Sequence, residues 1–234
     1  MTEGNKIGIV GTIQETPRLI LDAPEFERKI YETKIAAPRR SGTEDILILR
    51  YSGKAAGKKK DAERLKKGTR VIVAGEIRTE NEREIVPTQP SVKIFIFADG
   101  IAEATEHTES QNEVRLCGHI CKDPRARAIR NKKTREEDKE PLHITDLMVA
   151  VEGSGRNPNY IPCICWQNVA DAAADLKKGV YVEIEGRFQS REYQKTIEEG
   201  GVPFLMTAYE VSVVQMGVDY GDEEIPEGAE TVEE

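Results

Sequence analysis

The chain has 234 residues, 38% apolar and 32% charged, which is long enough for two domains of about 100 residues, each with its own core. No apolar run approaches the roughly 20 residues of a membrane helix, and Met1-Thr2-Glu3-Gly4-Asn5 lacks the basic-then-apolar pattern of a secretory signal, so a cytoplasmic protein without membrane contact is expected. The net charge of −8 is local: residues 219–234 hold eight Asp and Glu with no Lys or Arg, and without them 34 acids balance 34 bases.

Strand signals come first in chain order. Ile7-Gly8-Ile9-Val10, Tyr31 to Ala37 and Ile46-Leu47-Ile48-Leu49 are short runs rich in β-branched and aromatic residues. A weakly apolar helix is expected from about Lys58 to Lys67, through Ala62 and Leu65, ending at Gly68. Strands resume at Val71-Ile72-Val73 and at Val92 to Phe97. A polar stretch from Glu103 to Gln111 has no periodicity and reads as a join.

The order then repeats. Strands are expected over Val114 to Ile120, Ile144 to Val151 and Ile161 to Trp166, then a helix from Asn168 to Leu176 with Val169, Ala172, Ala173 and Leu176 on one face. After Gly179 come Val180 to Phe188 and Phe204 to Val214. Val180, Val182, Ile184, Gly186 and Phe188 share one side of their strand, and Val71, Val73, Gly75 and Ile77 repeat that period of two. Residues 218–234, acidic and poor in apolar side chains, are expected to be a disordered tail.

The two halves are written to one plan. Asn5-Lys6-Ile7-Gly8-Ile9-Val10-Gly11 with Pro17-Arg18 recurs as Asn112-Glu113-Val114-Arg115-Leu116-Cys117-Gly118 with Pro124-Arg125, at an offset of 107. Leu65-Lys66-Lys67-Gly68 with Gly75 recurs as Leu176-Lys177-Lys178-Gly179 with Gly186, at 111. A drift of four residues indicates duplicated domains with unequal loops. Five strands with a helix between the third and fourth is the order of an OB-fold, a small Greek-key barrel. The expected class is all-β, two tandem OB-folds: residues 1–104 and 111–217.

Catalytic patterns are missing: no phosphate loop, GxSxG elbow or HExxH occurs, and His107, His119 and His143 lack partners by spacing, so an enzyme is not expected. Cys117, Cys121, Cys163 and Cys165 are spaced unlike zinc-ribbon CxxC pairs. Cys117, His119 and Cys121 would share a strand face, which leaves a metal site open, but buried reduced thiols are the commoner reading, and no cofactor is expected.

Single strands are held by cationic grooves and by aromatic faces on which bases stack. Tyr160 and Trp166, six residues apart on one strand, point to the same side, with Cys163 and Cys165 on the other. Beyond Gly186 the outward parity carries Arg187, Gln189, Arg191 and Tyr193. Between the first two strands of the second module, Arg125, Arg127, Arg130, Lys132, Lys133 and Arg135 form a loop able to track phosphates. Each signal has a plainer reading, since lone aromatics usually pack at a core edge and basic loops are usually solvated. Their common placement on the ligand-binding side of the fold favours binding.

These residues resemble the bacterial single-stranded DNA-binding protein family: the Asn112-x-Val114-x-Leu116-x-Gly118 opening with Asp123-Pro124 and Arg127, then Leu176 to Gly179 leading into Val182 to Arg187, then Val213-Val214-Gln215-Met216. The resemblance covers residues 112–216 and implies base stacking on Tyr160, Trp166 and Tyr193, with Arg127 at the family's arginine. It is weaker over residues 5–104. There Thr16 replaces the Asp, Tyr51 stands for Trp166, Asp45 stands for Tyr160, and Thr79 to Glu84 holds three acids and no aromatic. That implies a first module with a degenerate binding face. The resemblance further implies sequence-independent binding of single-stranded DNA in replication, recombination or repair, and a homodimer supplying four barrels. The family's tail ends in Ile-Pro-Phe and recruits partner proteins; here Glu224-Ile225-Pro226 runs on to Glu233-Glu234 without a terminal phenylalanine. Two alternatives stand beside this reading: an RNA-binding or primosome-like OB protein, and a structural module that binds only proteins.

Overall fold

The structure, a computed structural model, describes residues 4–24, 28–55, 65–82, 91–129, 141–155, 157–196 and 202–219. The acidic tail from residue 220 onward and residues 58–64 of the helix expected in the first module lie outside the described residues, while Leu65–Lys67 is not helical.

The first module contains β1 (Asn5–Ile13), β2 (Arg18–Ala23), β3 (Arg28–Pro38), β4 (Glu44–Ser52), β5 (Arg70–Asn81) and β6 (Val92–Glu103). They are ordered β2-β3-β4-β6-β5-β1, and β1 also pairs with β3 through Thr12↔Ala36, closing the barrel. The second module contains β7 (Asn112–Ile120), β8 (Arg125–Ile129), β9 (Leu142–Val151), β10 (Asn159–Trp166), α1 (Gln167–Ala174), β11 (Tyr181–Lys195) and β12 (Phe204–Asp219). Its order is β7-β11-β12-β10-β9-β8, closed by pairing of β7 with β9. Each is the OB-fold barrel its element order implied, with one parallel pair, β4–β6 or β10–β12.

Three features depart from expectation. Each barrel carries a sixth strand, β2 or β8, on the edge beside β3 or β9. Arg125–Ile129 is therefore not a loop: its backbone pairs with Leu142–Asp146, which aims Arg125 and Arg127 to one side. The helix face also differs, since α1 buries Val169, Ala170 and Ala173 while Ala172 is exposed. Strand β12 continues to Asp219, past the start assigned to the tail.

By its contacts the chain divides into two compact units. One comprises Met1–Asn5, Val114–Arg187 and Glu210–Glu234; the other comprises Lys6–Glu113 with Phe188–Tyr209, so the far ends of β11 and β12 belong with the first module. Within that second unit Ser190 is bolted to β4. Its amide N–H donates to Asp45 Oδ1 at 2.8 Å, its hydroxyl accepts from the Ile46 N–H at 2.9 Å, and its carbonyl accepts from Arg39 at 3.0 Å. Asp45, wholly buried, also takes Arg39 Nε at 2.8 Å, so its charge is paired and its oxygens are satisfied. Asn112 does similar work beside it, donating to the Phe188 carbonyl at 2.8 Å and accepting the Phe188 N–H at 3.0 Å.

Barrel closure depends on glycine where a strand crosses a neighbour's carbonyl. A Cβ on Gly75 would strike the Phe97 oxygen, and one on Gly186 the Ser212 oxygen; Gly11 and Gly118 meet Ala36 and Ala150 in the same way. Because backbone rather than a flexible side chain is in the way, Gly186→Ala is expected to cost about 3 kcal/mol. A urea denaturation midpoint that stays put would contradict this reading of the bend.

Candidate nucleic-acid interface

The pairing register assigns faces. In the second module Arg127↔Ile144↔Trp166 form one row across β8, β9 and β10, and Arg125↔Asp146↔Ile164 form the next. Met148↔Pro162 and Ala150↔Tyr160 continue the same side. The opposite side holds Thr145, Leu147, Val149, Val151, Ile161, Cys163 and Cys165, all buried. The core is thus one face of this sheet, and the other turns out Tyr160, 50% exposed, the partly exposed Trp166, Arg125 and Arg127. Ile144 and Ile164, both buried, form the floor between them.

Trp166 is held at a corner. It is the extended residue before α1, and Gln167 next to it has φ +48°, in the left-handed region that side chains other than glycine seldom adopt. The Gln167 side chain accepts the His143 N–H at 3.1 Å, and His143 Nδ1 lies 2.7 Å from Asp171 on the helix. Start of β9, corner and helix are tied together beside the indole.

Arg127 is not simply presented to solvent. It grips Asp146 with both terminal nitrogens, Nη1 to Oδ2 at 2.5 Å and Nη2 to Oδ1 at 3.1 Å. Arg130, Lys132 and Lys133 lie outside the described residues. Arg187 is half-buried on β11. Tyr193 and Arg191 belong to the other compact unit, where the guanidinium lies 5.8 Å from the ring centroid and the Tyr193 hydroxyl donates to Met206 Sδ at 3.5 Å.

The thiols fill space. Cys163 and Cys165 are buried, and burial, followed by the Asp146 charge, pushes the Cys165 thiol up to about 12. Cys121 Sγ donates to the Met148 carbonyl at 3.1 Å, and His119 meets Tyr181 edge-on.

The first module corrects one expectation. Tyr51 is 0% exposed and stacks on Tyr31 at 5.5 Å and 20°, so it is a core residue, not a surface ring. The cause is a one-residue error of alignment. In the parallel ladders Arg50 faces Phe97 and Ile164 faces Ser212, the two residues whose carbonyls abut Gly75 and Gly186. The correct offset on these strands is therefore 114, which puts Ser52 at the place of Trp166, Ile46 at that of Tyr160 and Glu32 at that of Asp146. A shift of one residue on a strand exchanges inside for outside.

What the first module does turn outward is a mesh of ion pairs. Arg18↔Glu32↔Arg50 form a row across β2, β3 and β4. Glu32, 8% exposed, accepts from Arg18 Nη2 at 2.5 Å and Arg50 Nε at 2.7 Å, with Lys93 Nζ at 3.9 Å. Arg50 also donates to Glu80 at 2.5 Å and covers the Phe95 ring at 4.1 Å; Arg78, bonded to Glu76, covers Phe97 at 3.7 Å. Rings that could stack are capped by arginine, and the arginines are taken by glutamates. Glu32, set between Tyr31 and Thr33 in the Ile30–Ala37 strand run, was the available signal for this network.

Comparison with known proteins follows this division. Residues 111–217 match the Single-strand binding protein family. No curated protein matches the sequence. Among solved structures, a deletion mutant of the single-stranded DNA binding protein from Thermus aquaticus is 18% identical, covering 98% of this chain and 100% of that one at a TM-score of 0.69. The wild-type protein from the same organism is also 18% identical, covering 96% and 97% at 0.68. Those likenesses extend across both barrels and establish the fold.

Two results are expected. Tyr51→Ala empties a core position and should cost about 3–5 kcal/mol, seen as a lowered melting temperature rather than as a selective binding defect. For Glu32, burial alone would raise the carboxyl, but the bonds from Arg18 and Arg50 and the charges of Arg50 and Lys93 prevail and hold its pKa below the ordinary glutamate value. The stabilisation is therefore complete above the unfolded pKa and disappears as pH falls through the folded one. Glu32→Gln should cost about 1–2 kcal/mol at pH 7, with the gap from wild type narrowing below about pH 4 in thermal melts. A gap that widens in acid would show the sign to be wrong.

The stretch that matches the Single-strand binding protein family, residues 111–217, thus coincides with the second of the two OB-fold barrels.

Proposed function

We propose that this protein binds single-stranded DNA without strong sequence preference, holding it on the outward face of β8, β9 and β10. The observation that carries this reading is that face itself: Tyr160 and Trp166 turned out on one strand, with Arg125 and Arg127 on the same side of the edge strand, inside the segment that matches the Single-strand binding protein family. Every base has a π-face, so stacking on these rings tolerates any sequence, and cations beside them suit a phosphate chain. The names of the two Thermus aquaticus structures point the same way.

The finer reading extends this. Arg130, Lys132 and Lys133 would follow the phosphates beyond β8, Arg187 would add charge on β11, and Tyr193 with Arg191 would offer a further ring and cation. The first barrel, with its arginines already paired, would contribute little direct binding. Two chains would assemble as a homodimer with four barrels. The protein would coat exposed strands in the cytoplasm during replication, recombination or repair, with the acidic tail as a contact for partner proteins.

Trp166→Ala and Tyr160→Ala should each weaken binding of oligo-dT by about 1–3 kcal/mol, with the melting temperature nearly unchanged because neither ring is fully buried. Unchanged affinity in the folded variants would remove this face from the account. Tighter binding of the matching RNA would favour an RNA-binding role, and no retention on single-stranded DNA at low salt would leave a protein-interaction module.

A further inference from the structure

The same place in both barrels carries a carboxylate bonded to an arginine of the edge strand. In the second barrel it is Asp146 with Arg127; in the first, at the 114-residue offset, it is Glu32 with Arg18. Both lie on the outward face of the central strand of three, β9 or β3. In the second barrel both Asp146 oxygens sit in the one Arg127 fork, the geometry with which a phosphate would engage it; in the first, Glu32 divides its oxygens between Arg18 and Arg50.

The two copies differ in how firmly the carboxylate is held. Arg127 and Asp146 have side chains 36% and 37% exposed, and an ion pair in that setting is worth little in water, so an incoming anion can exchange for it. Glu32 is buried under Arg18, Arg50 and Lys93, and Arg50 has a second carboxylate and a ring to keep it in place. There the carboxylate is what is held fast, 10% exposed among three cations, although the Arg18 side chain itself is 70% exposed. Arg127 also shares its register row with Trp166 but reaches into the neighbouring row to meet Asp146. The pair thus draws the cation away from the ring beside which a nucleotide would stack.

We propose that Asp146 is an exchangeable internal counter-ion that occupies Arg127 until a phosphate of the bound strand displaces it, and so sets the affinity of the second barrel's face below what its cations would otherwise give. Glu32 is the locked form of the same device and accounts for a first barrel that keeps its arginines without offering them. This inference rests on the single-stranded DNA reading and deepens it.

The test uses the full chain and fluorescently labelled oligo-dT, with anisotropy titrations across a salt series. Asp146→Asn, nearly isosteric and neutral, should bind about fivefold more tightly at low salt, and its log–log salt slope should steepen by up to about 0.7, because the wild type, on freeing Asp146, takes up a cation against the one its phosphate releases. Asp146→Thr, neutral and suited to a strand, should shift binding in the same direction if the Asn variant is poorly folded. In an Arg127→Ala background the gain should vanish. Equal or weaker binding by the folded neutral variants overturns the proposal, as does a gain that persists without Arg127. Wild-type binding with no gain on neutralisation sinks the counter-ion alone. If wild type and variants all fail to bind, the single-stranded DNA reading falls with it.

Discussion

The geometry of both barrels depends on backbone meeting backbone at glycine. At Gly75 and Gly186 the strand crosses a carbonyl so closely that no side chain fits, and Gly11 and Gly118 serve the seam where the first strand of each barrel closes on the sheet. This contact fixes more than curvature. On a strand every residue is either inward or outward, so pinning the register at the seam decides which half of the side chains becomes core and which half is available to a ligand. In the second barrel the outcome is Cys163 and Cys165 inside with Tyr160 and Trp166 outside; in the first it is Tyr31 and Tyr51 inside with Glu32 and Arg50 outside.

From that division the electrical character of each face follows. The second barrel shows two rings, two arginines and one lightly held aspartate over a floor of Ile144 and Ile164. The first shows guanidinium groups lying on Phe95 and Phe97 and bonded to Glu32, Glu76 and Glu80. Arginine over an aromatic ring occupies the space in which a base would stack, and a carboxylate in the arginine fork occupies the space of a phosphate. Duplication followed by a few changes of charge thus yields one face suited to a ligand and another satisfied by its own side chains.

Much of this was legible in the sequence, and the part that was not has a physical cause. The even spacing of Tyr160 and Trp166 reports their common side correctly because the strand's period of two runs unbroken between them. The duplicated plan and the glycines mark both barrels and their bends. Tyr51 misleads because the offset between the copies is not constant: 107 at Asn5 and Asn112, 114 on the central strands and 111 at Gly75 and Gly186, with each change absorbed in a loop. An aromatic matched to an aromatic at an offset of 115 is attractive by eye, yet it inverts the face. Strand β8 escapes notice because Arg125-Ala126-Arg127-Ala128-Ile129 has no β-branched or aromatic residue before Ile129; it becomes a strand through pairing with β9, a tertiary effect that local propensity does not carry. The bolts at Asp45 and Asn112 join segments 145 and 76 residues apart in sequence, beyond the reach of any local pattern.

The central claim, that the outward face of β8 to β10 is where single-stranded DNA stacks, has a built-in reporter, because Trp166 is the chain's one tryptophan. Intrinsic fluorescence followed during titration with oligo-dT reads that face directly. The account predicts strong, saturable quenching that weakens as salt is raised. Saturable binding recorded by another signal while Trp166 emission stays constant would place the strand elsewhere and contradict the account.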